Sequence, residues 1–359
     1  MKKMKAAVWH GHKDVRVEEM PEPEAKPGYV KIKVAWAGIC GTDRHEYVGP
    51  NFIPVKTPHR LTGRTAPLII GHEFSGVIVD VGEGVIDWKK GDRVTANGTL
   101  SCGQCPMCRA GRENICSKLG FLGVSTDGAF AEYVIVEQKR LFKIPDNVSL
   151  KDAVLCEPLA CGLHAVNIMN FDFDGTTVVV SGDGIIGLSA AIACKQAGAK
   201  NVIISGVGTF KKSLTDEIGL KHVDITQENL LDVVKQETDS WMADAAFECV
   251  GVESSLHSAI KSTRPAASVM VMGVFEKPPV FPMNDFQEGE RILYTSQAHI
   301  NEIGICLDNM SKGKYPYIEK MITGVVDLDD IVEGGFEEMN RHPNDNIKVL
   351  VRIAGDQLA

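Results

Sequence analysis

The chain has 359 residues, which is more than a single hydrophobic core usually accommodates, so the length predicts two domains. Its 38 basic and 47 acidic residues give a formal net charge of −9, which argues against nucleic acid or an anionic membrane surface as the main partner. The sequence shows neither a signal peptide nor a run of about 18 uncharged apolar residues, so we expect a cytosolic protein that crosses no membrane.

Short β-like runs separated by glycine turns characterise the chain up to about residue 155. Alternation of apolar and polar residues with period two predicts strands at 30–36, 74–81 and 131–136. Three prolines between residues 51 and 67 predict a loop between the first two of these strands. The first part of the chain is therefore expected to be mostly β.

Four of the ten cysteines are clustered, with the spacing C-x2-C-x2-C-x7-C: Cys102, Cys105, Cys108 and Cys116. Thiolates suit zinc, and a closed set of four predicts a structural zinc that stabilises the fold and takes no part in chemistry. An iron–sulfur cluster, which also takes four thiolates, is the alternative. The six scattered cysteines are expected to be buried small residues, because disulfides are rare in a reducing cytosol.

Beyond Pro158 continuous apolar runs alternate with segments of helical composition, such as 187–199. Buried strands are predicted at 176–181, 201–205, 245–250 and 269–274. Strands that alternate with helices indicate a parallel, doubly wound sheet. The tail alternates with period two again at 347–353, and we expect this strand to return to the first domain.

A glycine-rich segment joins the first of these buried strands to its helix. It matches the pattern G-x-G-x-x-G and reads Gly182, Asp183, Gly184, Ile185, Ile186 and Gly187. At a strand–helix junction this pattern binds a dinucleotide, since the glycines allow a tight turn and let the backbone approach the pyrophosphate. The N-terminus of the helix then faces the phosphates.

The end of the second buried strand bears on the choice between NAD and NADP. An NAD site usually has Asp or Glu about 20 residues beyond the glycines, where it binds the ribose hydroxyls. Gly206 occupies that place, so no carboxylate there repels a 2′-phosphate, and Lys211 and Lys212 are positioned to attract one. The sequence therefore favours NADP, with NAD or the use of both cofactors as the alternative.

Cysteine, histidine and glutamate recur in three short segments that are far apart in the chain. They are Cys40 in GICGTDRH, His72 and Glu73 in GHE, and Glu157 in CEP. Such a mixed set of ligands suits a catalytic zinc with an open position. Each residue alone would more often be an ordinary core residue, so their sequence context carries the interpretation.

The run G-H-E-x2-G-x5-G-x2-V at 71–85 matches the signature of the zinc-containing medium-chain alcohol dehydrogenases. The cysteine loop, the Cys-Gly-Thr-Asp segment and the Glu-Pro at 157–158 match in the same order. The chain resembles this family over its whole length, and within it most resembles the (R,R)-butanediol and sorbitol (polyol) dehydrogenases. The resemblance implies an α/β fold: a GroES-like, mostly-β catalytic domain at 1–160, completed by 300–359, and a Rossmann domain at 161–299.

The resemblance also implies a catalytic zinc held by Cys40, His72 and a glutamate. Glu73 and Glu157 both match positions near that metal. Since zinc with one thiolate and one carboxylate is already neutral, a second carboxylate would weaken the Lewis acid, and we expect the two glutamates to exchange. Thr42 matches the hydroxyl beside the substrate oxygen, and His45 matches the solvent-side histidine of the proton relay.

The implied reaction converts a secondary alcohol or vicinal diol, as in 2,3-butanediol and acetoin, into a ketone with hydride transfer to NADP or NAD. Sorbitol or another polyol, an inositol, or L-threonine is the alternative substrate. The family likeness further implies two zinc ions per chain and a homo-oligomer, either dimer or tetramer. The negative charge opposes a nucleic-acid-binding zinc module, and retention of all four candidate ligands opposes a zinc-free reductase.

Overall fold

The computed structural model of the protein describes residues 2–49 and 52–358. Contacts within the chain define two compact units. The first contains the residues up to Glu157 and those from Ile303 onward, and the second is Pro158–Glu302. Among the described residues, no helix combines the length and apolar character needed to span a bilayer.

The first unit is built mainly from antiparallel strands. The strands before residue 150 are β1 Lys3–Gly11, β2 Asp14–Pro21, β3 Tyr29–Gly38, β4 Leu68–Ile69, β5 Glu73–Val81, β6 Arg93–Ala96, β7 Thr99–Leu100, β8 Gly120–Phe121, β9 Tyr133–Glu137 and β10 Leu141–Lys143. The helices are α1 Gly41–Val48, α2 Pro106–Arg109 and α3 Leu150–Ala153, and α4 Cys156–Ile168 begins in this unit and continues into the second. Short 3-10 turns lie at Glu113–Ile115 and Gln138–Arg140.

The second unit is a parallel sheet with helices between its strands. Its strands are β11 Thr177–Ser181, β12 Asn201–Gly206, β13 Lys221–Asp224, β14 Ala243–Glu248, β15 Thr263–Val271 and β16 Ile292–Thr295. Its helices are α5 Ile185–Gln196, α6 Lys212–Ile218, α7 Leu230–Glu237, α8 Glu253–Lys261 and α9 Met283–Glu288. The strand order β13-β12-β11-β14-β15-β16 is that of a doubly wound dinucleotide-binding sheet. The two later strands begin before the predicted runs, because β14 and β15 include the more polar residues ahead of them.

The last part of the chain adds α10 Glu302–Ser311, β17 Ile322–Asp327, a π-helix Ile331–Glu337, α11 Glu338–Arg341 and β18 Lys348–Arg352. Further 3-10 turns lie at Ile318–Met321, Leu328–Asp330 and Gly355–Leu358. β18 pairs antiparallel with β3, and the main sheet of the first unit has the order β10-β6-β5-β3-β18-β17, with β9 also paired to β3. Residues from both ends of the chain therefore meet at β3.

Pairing of β3 with β5 places two of the candidate segments side by side. Gly38, the last residue of β3, lies opposite Glu73, the first residue of β5. Val30, Ile32 and Val34 in β3 are fully buried, so this register is held by the core of the unit. The sheet thus brings the chain around Cys40 next to the chain around His72.

Candidate metal centres and cofactor site

The four clustered cysteines form one group in a loop of the first unit. The Sγ–Sγ distances are 3.4 Å for Cys105–Cys108 and 3.9 Å for both Cys102–Cys108 and Cys105–Cys116. Tetrahedral zinc with bonds of about 2.3 Å requires sulfurs about 3.8 Å apart, so the set fits the ion. Backbone N–H groups also donate to three of these sulfurs, as expected around thiolates: Cys102 N to Cys116 Sγ, Cys105 N to Cys102 Sγ and Cys108 N to Cys105 Sγ.

Two of these thiols have pKa values that are shifted in opposite directions. The backbone N–H of Cys108 lowers the pKa of Cys105 to about 5, whereas burial raises the pKa of Cys108 to about 12. Four thiolates this close would repel one another, and a divalent cation at their centre relieves that repulsion. The chemistry of the donor set therefore matches a closed structural zinc site.

A second group lies where β3 leads into α1. Cys40 is the residue that caps the N-terminus of α1. One ligand atom each of Cys40, His72 and Glu73 lies within 4.8 Å of the other two. A thiol, an imidazole and a carboxylate at this separation are a set that zinc can bind, so these three residues fit the ion as well.

His72 is oriented next to a buried carboxylate. Its Nδ1 lies 3.7 Å from Asp43 Oδ1, and neither atom has a hydrogen-bond partner. Burial lowers the pKa of His72, but the charges of Asp43 and Cys40 outweigh it and raise the pKa well above the usual value. The other oxygen of Asp43 accepts the N–H of Cys40 at 2.9 Å. Asp43 lies in the Cys-Gly-Thr-Asp segment, although the residue pattern alone assigned it no role.

Glu73 is paired with a residue that the sequence patterns did not indicate. Both of its oxygens accept from Lys348 Nζ, at 2.7 and 2.6 Å, and this ammonium also donates to Ile39 O at 3.0 Å. Both side chains are only 1% exposed. A Cβ atom at Gly38 would overlap Glu73 Oε2, so glycine there leaves space for the pair. Burial raises the pKa of Glu73 while the charge of Lys348 opposes that rise.

The carboxylate of Glu157, in the first turn of α4, interacts electrostatically with the same group. It is half-buried, and its carboxylate contributes to raising the pKa of Glu73, His72 and Lys348. Glu157 thus lies within electrostatic reach of the Cys40–His72–Glu73 group. Glu73 itself is neutralised by a buried ammonium.

The two candidate relay residues lie on α1. Thr42 is in its first turn and His45 is one turn further on, and both are half-buried. The carbonyl of His45 accepts the N–H of Gly49 at 2.8 Å, which closes the helix. The short helix α1 therefore follows directly after Cys40, places Asp43 beside His72, and carries Thr42 and His45 at partly accessible positions.

The glycine-rich segment of the second unit lies between β11 and α5. Gly182 has a φ of +106°, a conformation that favours glycine, and its N–H donates to Ser205 O on β12 at 2.9 Å. A Cβ atom at Gly187 would overlap the carbonyl oxygen of Gly182. Gly184 caps α5, whose first residues are Ile185 and Ile186. The free N–H groups at this end of the helix form an anion site that suits a pyrophosphate.

Lys211 and Lys212, expected above to attract a 2′-phosphate, are each paired with a carboxylate. Lys211 Nζ lies 2.9 Å from Asp183 Oδ1, and both side chains are buried. Lys212 Nζ lies 3.1 Å from Asp216 Oδ1 on the exposed side of α6. Gly206 ends β12 as the sequence pattern indicated, but the side-chain space beside it is filled by Asp183.

Family models match both units of the chain. Residues 26–146 match the alcohol dehydrogenase GroES-like domain, and residues 186–305 match the zinc-binding dehydrogenase domain. The predicted combination of a GroES-like domain and a Rossmann-type domain is thereby confirmed.

Similar proteins cover almost the whole chain. (R,R)-butanediol dehydrogenase of Bacillus subtilis (strain 168) is 39% identical over 353 residues, 97% of this chain and 99% of the relative. Sorbitol dehydrogenase of Halalkalibacterium halodurans is 39% identical over 77% of this chain and 79% of its own.

Two solved structures were obtained with different cofactors. A zinc-binding dehydrogenase from Sinorhizobium meliloti 1021 bound to NADP has a TM-score of 0.86 at 30% identity, covering 98% of this chain and 100% of its own. An alcohol dehydrogenase from E. coli CFT073 complexed with NADH has a TM-score of 0.87 at 29% identity, with the same coverage of 98% and 100%.

Proposed function

The chain belongs to the zinc-binding alcohol dehydrogenase family, and from that premise we propose that it interconverts a secondary alcohol or vicinal diol and the corresponding ketone. The observation that carries the proposal is the Cys40–His72–Glu73 group, in a chain whose other unit has a dinucleotide-binding loop. The likeness to (R,R)-butanediol dehydrogenase favours a small diol of the 2,3-butanediol type.

The proposal includes two zinc ions per chain with different tasks. Cys102, Cys105, Cys108 and Cys116 would hold a structural ion, and Cys40 and His72 with one glutamate would hold the other. Zinc bound by this second set would lower the pKa of the alcohol, and a bound nicotinamide would accept the hydride. The Asp43 carboxylate beside His72 orients the imidazole and keeps it a strong ligand.

We propose that Glu157 supplies the carboxylate in the resting protein. Glu73 is held by Lys348 through both of its oxygens, so binding a cation would require that ion pair to open. Lys348 is itself anchored on the carbonyl of Ile39, one residue before Cys40. The ion pair therefore serves as the alternative position of Glu73 in an exchange of the two glutamates.

Thr42 and His45 are proposed to carry the proton of the alcohol to solvent. In this scheme the Thr42 hydroxyl accepts it from the substrate, and His45 passes it outward from a partly exposed position. Replacing His45 by glutamine is expected to lower kcat about 10- to 100-fold at neutral pH, because one proton carrier is lost. The loss should shrink as the pH rises, since solvent base then removes the proton.

The measurement for His45→Gln is kcat as a function of pH with a diol substrate. His10→Gln is the matched control, since His10 is also partly exposed and its ring pairs with Glu18 on the neighbouring strand β2 at 3.2 Å. A His45→Gln enzyme with the wild-type kcat at every pH would exclude the relay.

NADP is proposed as the preferred cofactor. The support is that β12 ends in Gly206, so the strand itself presents no carboxylate to a 2′-phosphate. The ratio of kcat/KM for NADP to that for NAD tests this preference, and a ratio well below one would refute it.

The substrate proposal is tested by comparing kcat/KM for 2R,3R-butanediol, sorbitol and L-threonine, with zinc content measured on the same preparation. We expect the diol to have the highest value. The likeness to sorbitol dehydrogenase makes sorbitol the second candidate, and a higher kcat/KM for sorbitol would select it. One zinc ion per chain in fully active enzyme would contradict the two-site proposal.

A homo-oligomer is proposed from the edge of the second unit's sheet. β16 is an edge strand, and its Ile292 and Leu293 are 50% and 42% exposed. An exposed apolar edge strand favours pairing with another chain. Light scattering should give the mass of a dimer or tetramer, and a monomer at micromolar concentration would refute the proposal.

A further inference from the structure

A buried cluster of three charged or titratable side chains lies at the carboxyl end of β12. It contains Asp183 from the glycine-rich loop, Lys211 from the segment before α6, and His222 from β13. Asp183 Oδ1 lies 2.9 Å from Lys211 Nζ, and Asp183 Oδ2 lies 3.1 Å from His222 Nε2. The three residues are 6%, 4% and 5% exposed, respectively.

The carboxylate of Asp183 stands where a side chain at position 206 would be. A Cβ atom on Gly206 would overlap both the Cγ and the Oδ2 atoms of Asp183. Gly206 is therefore required by its neighbour, and the missing acid at the strand end is replaced by one that reaches across from the loop. The place where NAD-binding sheets carry a carboxylate is thus still occupied by one, although it is paired with the Lys211 ammonium.

We propose that Asp183 is a specificity-determining residue that weakens the preference for NADP over NAD. This inference rests on the proposed binding of a nicotinamide dinucleotide at the glycine-rich loop. The Asp183 carboxylate neutralises Lys211, which would otherwise attract the 2′-phosphate. Because these charges are buried, water screens them poorly and they act over several ångströms without touching the ligand.

Hydrogen bonds to Asp224 also hold the backbone around the cluster. Asp224 Oδ1, at the end of β13, accepts the N–H of Gly208 at 2.9 Å and that of Thr226 at 3.0 Å. The loop after Gly206 therefore has supports besides the Asp183–Lys211 pair. A change of charge at residue 183 should alter discrimination between the cofactors more than the shape of the loop.

The test is equilibrium binding of adenosine 2′,5′-bisphosphate and of AMP to the zinc-loaded enzyme at low ionic strength, measured by calorimetry. Asp183→Asn is expected to raise the affinity ratio of bisphosphate to AMP at least about tenfold, since it removes one charge and releases the Lys211 ammonium. Lys211→Met is expected to lower the same ratio, because the carboxylate then acts uncompensated. The ratio of kcat/KM for NADP to that for NAD should move in the same directions.

Asp232→Asn and Lys235→Met are the matched controls. They make the same changes of charge in an exposed pair on α7, and each should leave the ratio within twofold of the wild type. A folded Asp183→Asn protein whose ratio is also within twofold of the wild type would overturn the inference. If Asp183→Asn does not fold, the test rests on Lys211→Met. An unchanged or raised affinity ratio in that variant would then overturn the inference. The wild-type ratio separately tests the proposed preference for NADP, so the two ideas can fail independently.

Discussion

Replacing Cys40 by alanine is expected to lower kcat about 1,000-fold while the protein remains folded. The reason is that a partly exposed ligand of the proposed catalytic zinc is lost, whereas no core packing is removed. Metal stabilisation of the reacting oxygen contributes several kcal/mol, and about 4 kcal/mol corresponds to about three powers of ten in rate. The zinc content should fall by about one ion per chain. The measurements are kcat with the diol, metal analysis and thermal unfolding on the same sample.

Cys105→Ala provides the contrasting control for this experiment. It removes one ligand from the four-cysteine group, whose zinc would contribute folding free energy. A loss of about 4 kcal/mol corresponds to a decrease in Tm of about 10 °C for a unit of this size. Cys105→Ala should therefore lose stability together with one zinc ion. A Cys40→Ala enzyme that kept both metals and most of its kcat would refute the assignment of the catalytic site.

Replacing Lys348 by methionine is expected to lower the free energy of unfolding by about 3–5 kcal/mol. Methionine has a similar length but no charge, so the buried Glu73 carboxylate would lose its partner. Removing one member of a buried ion pair costs this much because the remaining charge stays desolvated. We also expect kcat to fall, since an unpaired Glu73 would compete with Glu157 for the cation.

The matched control for Lys348→Met is Lys312→Met. Lys312 pairs with Asp308 at 2.6 Å, but both side chains are more than half exposed, so its loss should cost at most about 1 kcal/mol. The double variant Glu73→Gln/Lys348→Met removes both buried charges and should regain at least half of the lost stability. Unfolding by urea, followed on zinc-loaded protein, measures the stability of the wild type and of these three variants. If Lys348→Met lowered the free energy of unfolding by less than about 1 kcal/mol, the Glu73–Lys348 pair would not be important for the stability of the folded protein.

Two features of this protein follow from local sequence alone. The first is the four-cysteine loop, because ligands separated by two to seven residues are close in space in almost any turn conformation. The second is the strand, glycine turn and helix around Gly182, since Gly182 has a positive φ and Gly187 leaves space for the carbonyl oxygen of Gly182. Residue patterns were sufficient in both cases because the interacting atoms are near neighbours in the chain.

The tertiary structure decided the electrostatic partners of Glu73 and Lys211. Glu73 and Lys348 are 275 positions apart and meet only because β5 and β18 both flank β3, a pairing that no local pattern specifies. In the same way, Asp183 and Lys211 are 28 positions apart, and their contact depends on how the glycine-rich loop lies over the end of β12. Sequence patterns therefore identified the candidate ligand residues and a lysine suited to a phosphate. Only the folded chain showed that Glu73 is already neutralised and that Lys211 is already bound, because burial and long-range charge pairing arise when the sheets assemble.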